Sequence, residues 1–375
     1  MVRERPALMV RRYIALMLLL LCAIPAHGAA TQPATKPAAF ELSFATPDEA
    51  RAAIVDESAE PYFKLLQPLE MAAKTGSPLP GGELAQQQET CRKRYQNAVR
   101  DFTPAEKEAL NWYVSKLAAY TYPNYPLLAA TPWKFIKVTS EIEGGNPFTR
   151  GQYICLSSFT TDDVVKEMRN SILGGSDWTA MGAYARVLLH EQMHVIQRSH
   201  RELFAKFYTN DWGFSHAALI TPDPWLVEHQ MLDPDGIDQL WVYPLKVGEG
   251  TRWIWPLSII GDVGKSGAPR FADLTMVAVD LKPGEKDSFG IKAGPNNAPA
   301  MTPLMNVLGY TMKFSPSREV FHPNEASADL FAHVALVLDI LPGMAPPVAG
   351  PALNKARDEY KPQHDAFMKL LSDKK

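Results

Sequence analysis

Apolar positions along this chain change period several times, and each change marks a predicted element. Over residues 45–120 they recur every three to four positions, the spacing of helices that bury one face. Two helix starts are spelled out there. "TPDE" at Thr46 and "TPAE" at Thr103 each combine a Thr N-cap, Pro at the first helical position and Glu at the third. β-Branched and aromatic residues then crowd "WKFIKVTS" (133–140) and "GQYICLSSF" (151–159), which read as strands. "GGSDW" precedes a long helical run from about Thr179 to Tyr208, closed by "NDWG". From Thr221 to Ser315 prolines and glycines punctuate short apolar runs such as "LWVYPLKV", "RWIWPLSII" and "LTMVAVDL", the texture of strands and loops. Helical spacing returns in "NEASADLFAHVALVLDI" and near the C-terminus. Helices, strands, a long helix, a β-rich insertion and further helices make an α+β chain without internal repeats.

The first 44 residues follow neither period. "MVRERPALMVRR" brings four arginines, "YIALMLLLLCAIP" a short apolar core, and "AHGAA" small residues around a cleavage point. This is the pattern of a secretory signal peptide over 1–29, cut near Gly28 or Ala29. Leucines before Cys22 lack the small residues of a lipoprotein signal. "TQPATKPAA" reads as a Pro/Ala linker within 30–44. The expected division is then 45–220 (helices, strands and the long helix), 221–315 (insertion) and 316–375 (C-terminal helices). A secreted or periplasmic location follows from the leader. No stretch reaches the roughly 18 apolar residues of a membrane span, and a net charge of -3 argues against nucleic acid as a partner. Beyond the leader only Cys91 and Cys155 remain, and one disulfide and two separate buried thiols both stay open.

Chemistry concentrates in "LLHEQMHVI". On a helix, residues four apart differ by about 40° around the axis and about 6 Å along it. His190 and His194 therefore project from one face and can share a zinc ion, with Glu191 beside them to contact water without ligating. Flanking "ARVLL" and "VI" bury this helix, where two histidines and a glutamate are costly unless they serve a purpose. A catalytic zinc needs a third protein ligand. His200 completes an H-E-x-x-H-x-x-x-x-x-H outline that resembles the metzincin proteases, but Gln197 stands where those have the Gly that lets the chain turn back. With a continuing helix, His200 faces away with Ile196, Leu203 and Phe207.

The second candidate lies in "HPNEASADLFAH". Asn324-Glu325-Ala326-Ser327-Ala328-Asp329 resembles the Asn-Glu-x-x-Ser-Asp segment of thermolysin-like gluzincin peptidases, with Ala328 in place of the Ser. The resemblance covers only these two helices and implies a zincin-like core. It makes Glu325 the third zinc ligand and Asp329 the outer partner of His190. Four-residue spacing also turns both carboxylates to one side of a helix. "NPFTRGQYICLSS" suits a strand bordering the cleft, where Arg150 meets a substrate carboxylate or is a surface charge. For an oxyanion-stabilising group the chain offers Tyr208, His216, His229, Tyr310, His322, His333 and His364 without a motif. His322 is nearest Glu325 in sequence, and capping its turn is an equal role for it. These readings converge on an exported zinc metallopeptidase with His190, His194 and Glu325 on Zn2+, Glu191 as general base and a peptide or protein as substrate. The alternatives are a secreted zinc-containing binding protein or pseudoenzyme, and a metzincin-type protease with His200 as third ligand.

Overall fold

The computed structural model describes residues 40–172, 178–236, 238–261, 269–344 and 350–372. The leader and most of the linker expected from sequence lie outside the described residues. The linker ends sooner than 44, because Leu42–Phe44 forms strand β1 and pairs in parallel with Trp133–Phe135.

Four helices of seven residues or more fill the N-terminal part: α1 (Pro47–Ala53), α2 (Pro68–Lys74), α3 (Leu84–Ala98) and α4 (Pro104–Thr121). Both threonine caps form as spelled. Thr46 Oγ1 accepts from the Glu49 amide at 3.4 Å while Glu49 accepts from the Thr46 amide at 2.9 Å. Thr103 and Glu106 repeat this exchange at 3.3 and 2.7 Å. Two backbone donors per helix are thus satisfied by local sequence alone.

The first sheet has five strands: β1, β2 (Val99–Arg100), β3 (Trp133–Val138), β4 (Phe148–Arg150) and β5 (Tyr153–Ser157), in the order β1-β3-β5-β4 with β2 also on β3. β1, β3 and β5 run parallel, and β4 is the antiparallel edge. Helix α5 (Ser158–Ile172) follows, then α6 (Trp178–Ser199), which packs on β4 and β5 and lies along α8 (Pro323–Ala335). The single helix expected to run to Tyr208 is in fact two. Its backbone breaks at His200, with φ -132° and ψ 44°, and resumes as α7 (Arg201–Asn210). Leu189, Ile196, Trp133 and Phe331 share the main core, so helix, sheet and C-terminal helix bury one another's apolar faces. Cys91 on α3 and Cys155 on β5 share a smaller core and are both free thiols.

Strands β6 (Ser215–His216) and β7 (Leu219–Ile220), just before the expected insertion, are followed within it by β8 to β12 (Trp241–Val247, Gly250–Ile260, Leu274–Pro283, Ser288–Ile291 and Met301–Pro303). They form a seven-stranded sheet, β6-β8-β9-β10-β11-β7, with β12 on β10 and long antiparallel pairs at its centre. Val242, Leu257, Val279 and Phe289 give this sheet its own core. Among the described residues no helix is long and apolar enough to cross a membrane.

Candidate metal centre

Helix α6 carries His190, Glu191 and His194 toward the first turn of α8. That turn is fixed by His322, whose Nδ1 accepts from the Asn324 amide at 3.1 Å and whose Nε2 donates to the Asp238 carbonyl at 2.7 Å. A Cβ at Gly236 would stand 2.6 Å from His322 Nδ1, so the close approach requires glycine. Glu325, two residues into α8, is buried and meets both histidines.

The three donors converge. His190 Nε2 and His194 Nε2 are 3.0 Å apart. His190 Nε2 lies 3.3 Å from Glu325 Oε2, and His194 Nε2 lies 3.2 Å from Glu325 Oε1. Ligand atoms on a tetrahedral zinc with bonds of about 2.0–2.1 Å stand about 3.3 Å from one another. Spacing of this kind fits a shared cation.

Tautomers point the same way. Gln197 Nε2 donates to the Asn324 carbonyl (3.0 Å) and to Ser327 Oγ (2.8 Å), which fixes which end of its amide is oxygen. Gln197 Oε1 must then accept from His194 Nδ1–H, at 2.7 Å. That leaves His194 Nε2 facing the triad, where it offers a proton to Glu325 or, once deprotonated, a lone pair to a cation. Tyr208 extends the support, with its hydroxyl 3.0 Å from Ser327 Oγ.

Charge is tightly balanced here. Burial opposes ionisation of His190, but the Glu325 hydrogen bond and the carboxylates of Glu319, Glu325 and Glu191 outweigh it and raise its pKa well above the usual range. Burial likewise opposes charge on Glu325, yet the His194 charge and hydrogen bonds from both histidines hold its carboxyl well below the usual range. Glu191 behaves oppositely. Burial, then the charge of Asp235, pushes it up to about 8 against the pull of the two histidines. Glu191 Oε2 is buried with no hydrogen-bond partner among the described residues. Orphaned acceptors of this kind are costly unless a ligand satisfies them.

The remaining sequence-derived candidates are placed as follows. Asp329 faces the same cavity, but its oxygens are engaged by the Arg186 guanidinium and, at 3.0 Å, by the Arg318 amide. A hydrogen bond from His190 to Asp329 is not among those of the described residues, because Arg186, one turn earlier on α6, reaches that carboxylate. Arg150 is buried away from the cavity, donating to the carbonyls of Ile54 (3.2 Å) and Asp56 (2.9 Å) over the Tyr62 and Phe63 rings. His200 sits at the α6–α7 break and does not join the donor cluster. None of the seven candidates for oxyanion stabilisation lines the cavity. On β4 the Thr149 amide donates to Asp235 at 2.7 Å, so an incoming strand would not find that group free.

A cavity of ≈ 250 Å³ opens beside the triad, walled by Phe148, Val187, Met231, Leu274, Met276 and Phe321. Sequence reasoning missed Gln197 as a supporting residue, Glu319 (3.8 Å from His190) and the pair Asp233 and Asp235. The available signal was "DPDG", a turn in which Asp233 accepts from the Asp235 amide at 2.8 Å. No protein family, curated protein or solved structure matches this chain.

Proposed function

We propose that this chain is an exported zinc-dependent hydrolase with a zincin-like core of gluzincin character, cleaving peptide bonds. One observation carries the reading. Donor atoms of His190, His194 and Glu325 meet within 3.0–3.3 Å, with the unpartnered Glu191 carboxylate lining the same cavity. Two imidazoles and one carboxylate are the donor set of catalytic zinc, which keeps a position open for water, whereas structural sites close all four. When bound, zinc supplies a Lewis acid that polarises a carbonyl and acidifies water.

The chain's own residues do the rest. Gln197 holds His194 in the tautomer that presents Nε2, and Glu325 sits between the two rings. Glu191, unpartnered at Oε2 on the same cavity, takes a proton from the attacking water and returns it to the leaving amine. The apolar walls exclude water and accept an apolar side chain of the substrate. The arginine-led leader supports a secreted or periplasmic location.

Glu191→Gln tests the mechanism. Digestion of a peptide library should slow by about 10²–10⁴-fold while zinc content and far-UV circular dichroism stay at wild type. Unchanged turnover in this variant would remove the general base from the mechanism.

A further inference from the structure

Glu325 belongs to two clusters of ligating atoms. Besides the histidine pair, one oxygen each from Asp233, Asp235 and Glu325 lie within 4.8 Å of one another. The two aspartates come from the loop before β8, which meets the start of α8. Asn324 Nδ2 donates to the Asp235 carbonyl at 3.1 Å, and His322 closes over Gly236. Backbone amides occupy one oxygen of each aspartate: Asp233 Oδ1 accepts from Asp235 N at 2.8 Å, and Asp235 Oδ1 from Thr149 N at 2.7 Å. Among the described residues no hydrogen bond takes the second oxygen of either aspartate.

Glu191, Asp233, Asp235 and Glu325 all line the cavity, together with Lys74, whose charge reaches Asp233. Arg198 lies 3.6 Å from Asp235 but is shared with Glu60 at 3.3 Å. Among the described residues Asp233 has no cationic side chain within ion-pair distance. Independently of the aspartates, Glu191 is only 5% exposed and its Oε2, on the same cavity, has no partner. Buried carboxylates gathered in this way call for a cation.

We infer that Asp233, Asp235 and Glu325 form a second cation site beside the zinc site, with Glu325 common to both. All three protein donors are carboxylate oxygens, the hard set that suits Mn2+, Mg2+ or Ca2+, whereas the two imidazoles of the neighbouring site suit Zn2+. The inference rests on the zinc reading only through this shared glutamate.

The test counts metals. The purified chain is loaded with one equivalent of Zn2+ and titrated with Mn2+, with bound manganese read by electron paramagnetic resonance and both metals by elemental analysis. Wild type should hold one of each. Asp233→Asn and Asp235→Asn should each weaken Mn2+ at least tenfold and leave zinc at one per chain, and Glu325→Gln should lose both. Two variants are used because Asp235 also anchors Thr149, whereas Asp233→Asn keeps shape and volume. If zinc-loaded wild type takes up no Mn2+, or if Asp233→Asn binds it as wild type does, the second site is refuted and the zinc reading stands. If Glu325→Gln sheds Mn2+ yet keeps zinc, the second site holds and Glu325 is no zinc ligand.

Discussion

Two buried polar clusters face one cavity, and they are built on opposite plans. At one end, the fully buried Lys74 ammonium lies 3.0 Å from Glu143 and 3.8 Å from Glu70. Tyr62 donates to Glu143 at 2.9 Å, Tyr95 donates to the same oxygen, and the Leu232 amide donates to Glu70 at 2.6 Å. Every strong group has a partner supplied by the chain. At the other end, two imidazole nitrogens and a carboxylate point at one another, and Glu191 Oε2 has no hydrogen-bond partner among the described residues. A self-satisfied cluster ties elements together, here α2 to the turn before β4. A cluster left short of partners needs something the chain does not contain. Burial alone, which both share, does not distinguish a structural group from a functional one.

That contrast can be broken from either side. Lys74→Met should give the largest loss of stability, about 3–5 kcal/mol, because it strands two buried carboxylates. Denaturant unfolding measures the loss, and metal content per folded chain should not change. Gln197→Ala should do the reverse. Without an acceptor on Nδ1, His194 loses its fixed tautomer, and zinc affinity should fall about 10–100-fold by competition with a chromogenic chelator, with unfolding little altered. The smallest effect concerns pH. Burial pushes Glu70 up to about 8 from its ordinary 4.5, against the pull of Lys74. A carboxyl whose folded pKa is raised contributes stability that is full below the unfolded pKa and is lost as pH rises through the folded one. Wild type should therefore lose stability relative to Glu70→Gln between about pH 4.5 and 8, seen as converging or crossing unfolding midpoints. Parallel midpoints across that range would show that Glu70 is ionised throughout.

What was legible in the sequence was what short-range geometry decides. The two threonine capping boxes depend on residues three apart, and both form. His190 and His194 share a face because four residues make about one helical turn. The strands at 133–138 and 153–157 and the insertion strands stood out by β-branched and aromatic content. Glu325 came from a resemblance spanning a few residues, and its place beside the histidines depends on how α8 lies on α6. Contacts between distant segments left little local trace. Gln197 looked like an obstacle to a turn, whereas it is the residue that orients His194. Arg150 reads from sequence as a substrate contact or a surface charge, but it is enclosed by Tyr62, Phe63 and two carbonyls of the N-terminal region. The break at His200 occurs without Gly or Pro, so no composition signal announces it. Lys74 and Glu143 are 69 positions apart, and nothing in either segment predicts the other.

The central claim is that Glu325, and not His200, completes a zinc site with His190 and His194. Zinc stoichiometry after dialysis against a chelator, measured on wild type, Glu325→Ala and His200→Asn, tests it most directly. The account predicts one tightly held zinc in wild type and in His200→Asn, and an empty site in Glu325→Ala. Zinc retained by Glu325→Ala and lost by His200→Asn would contradict it.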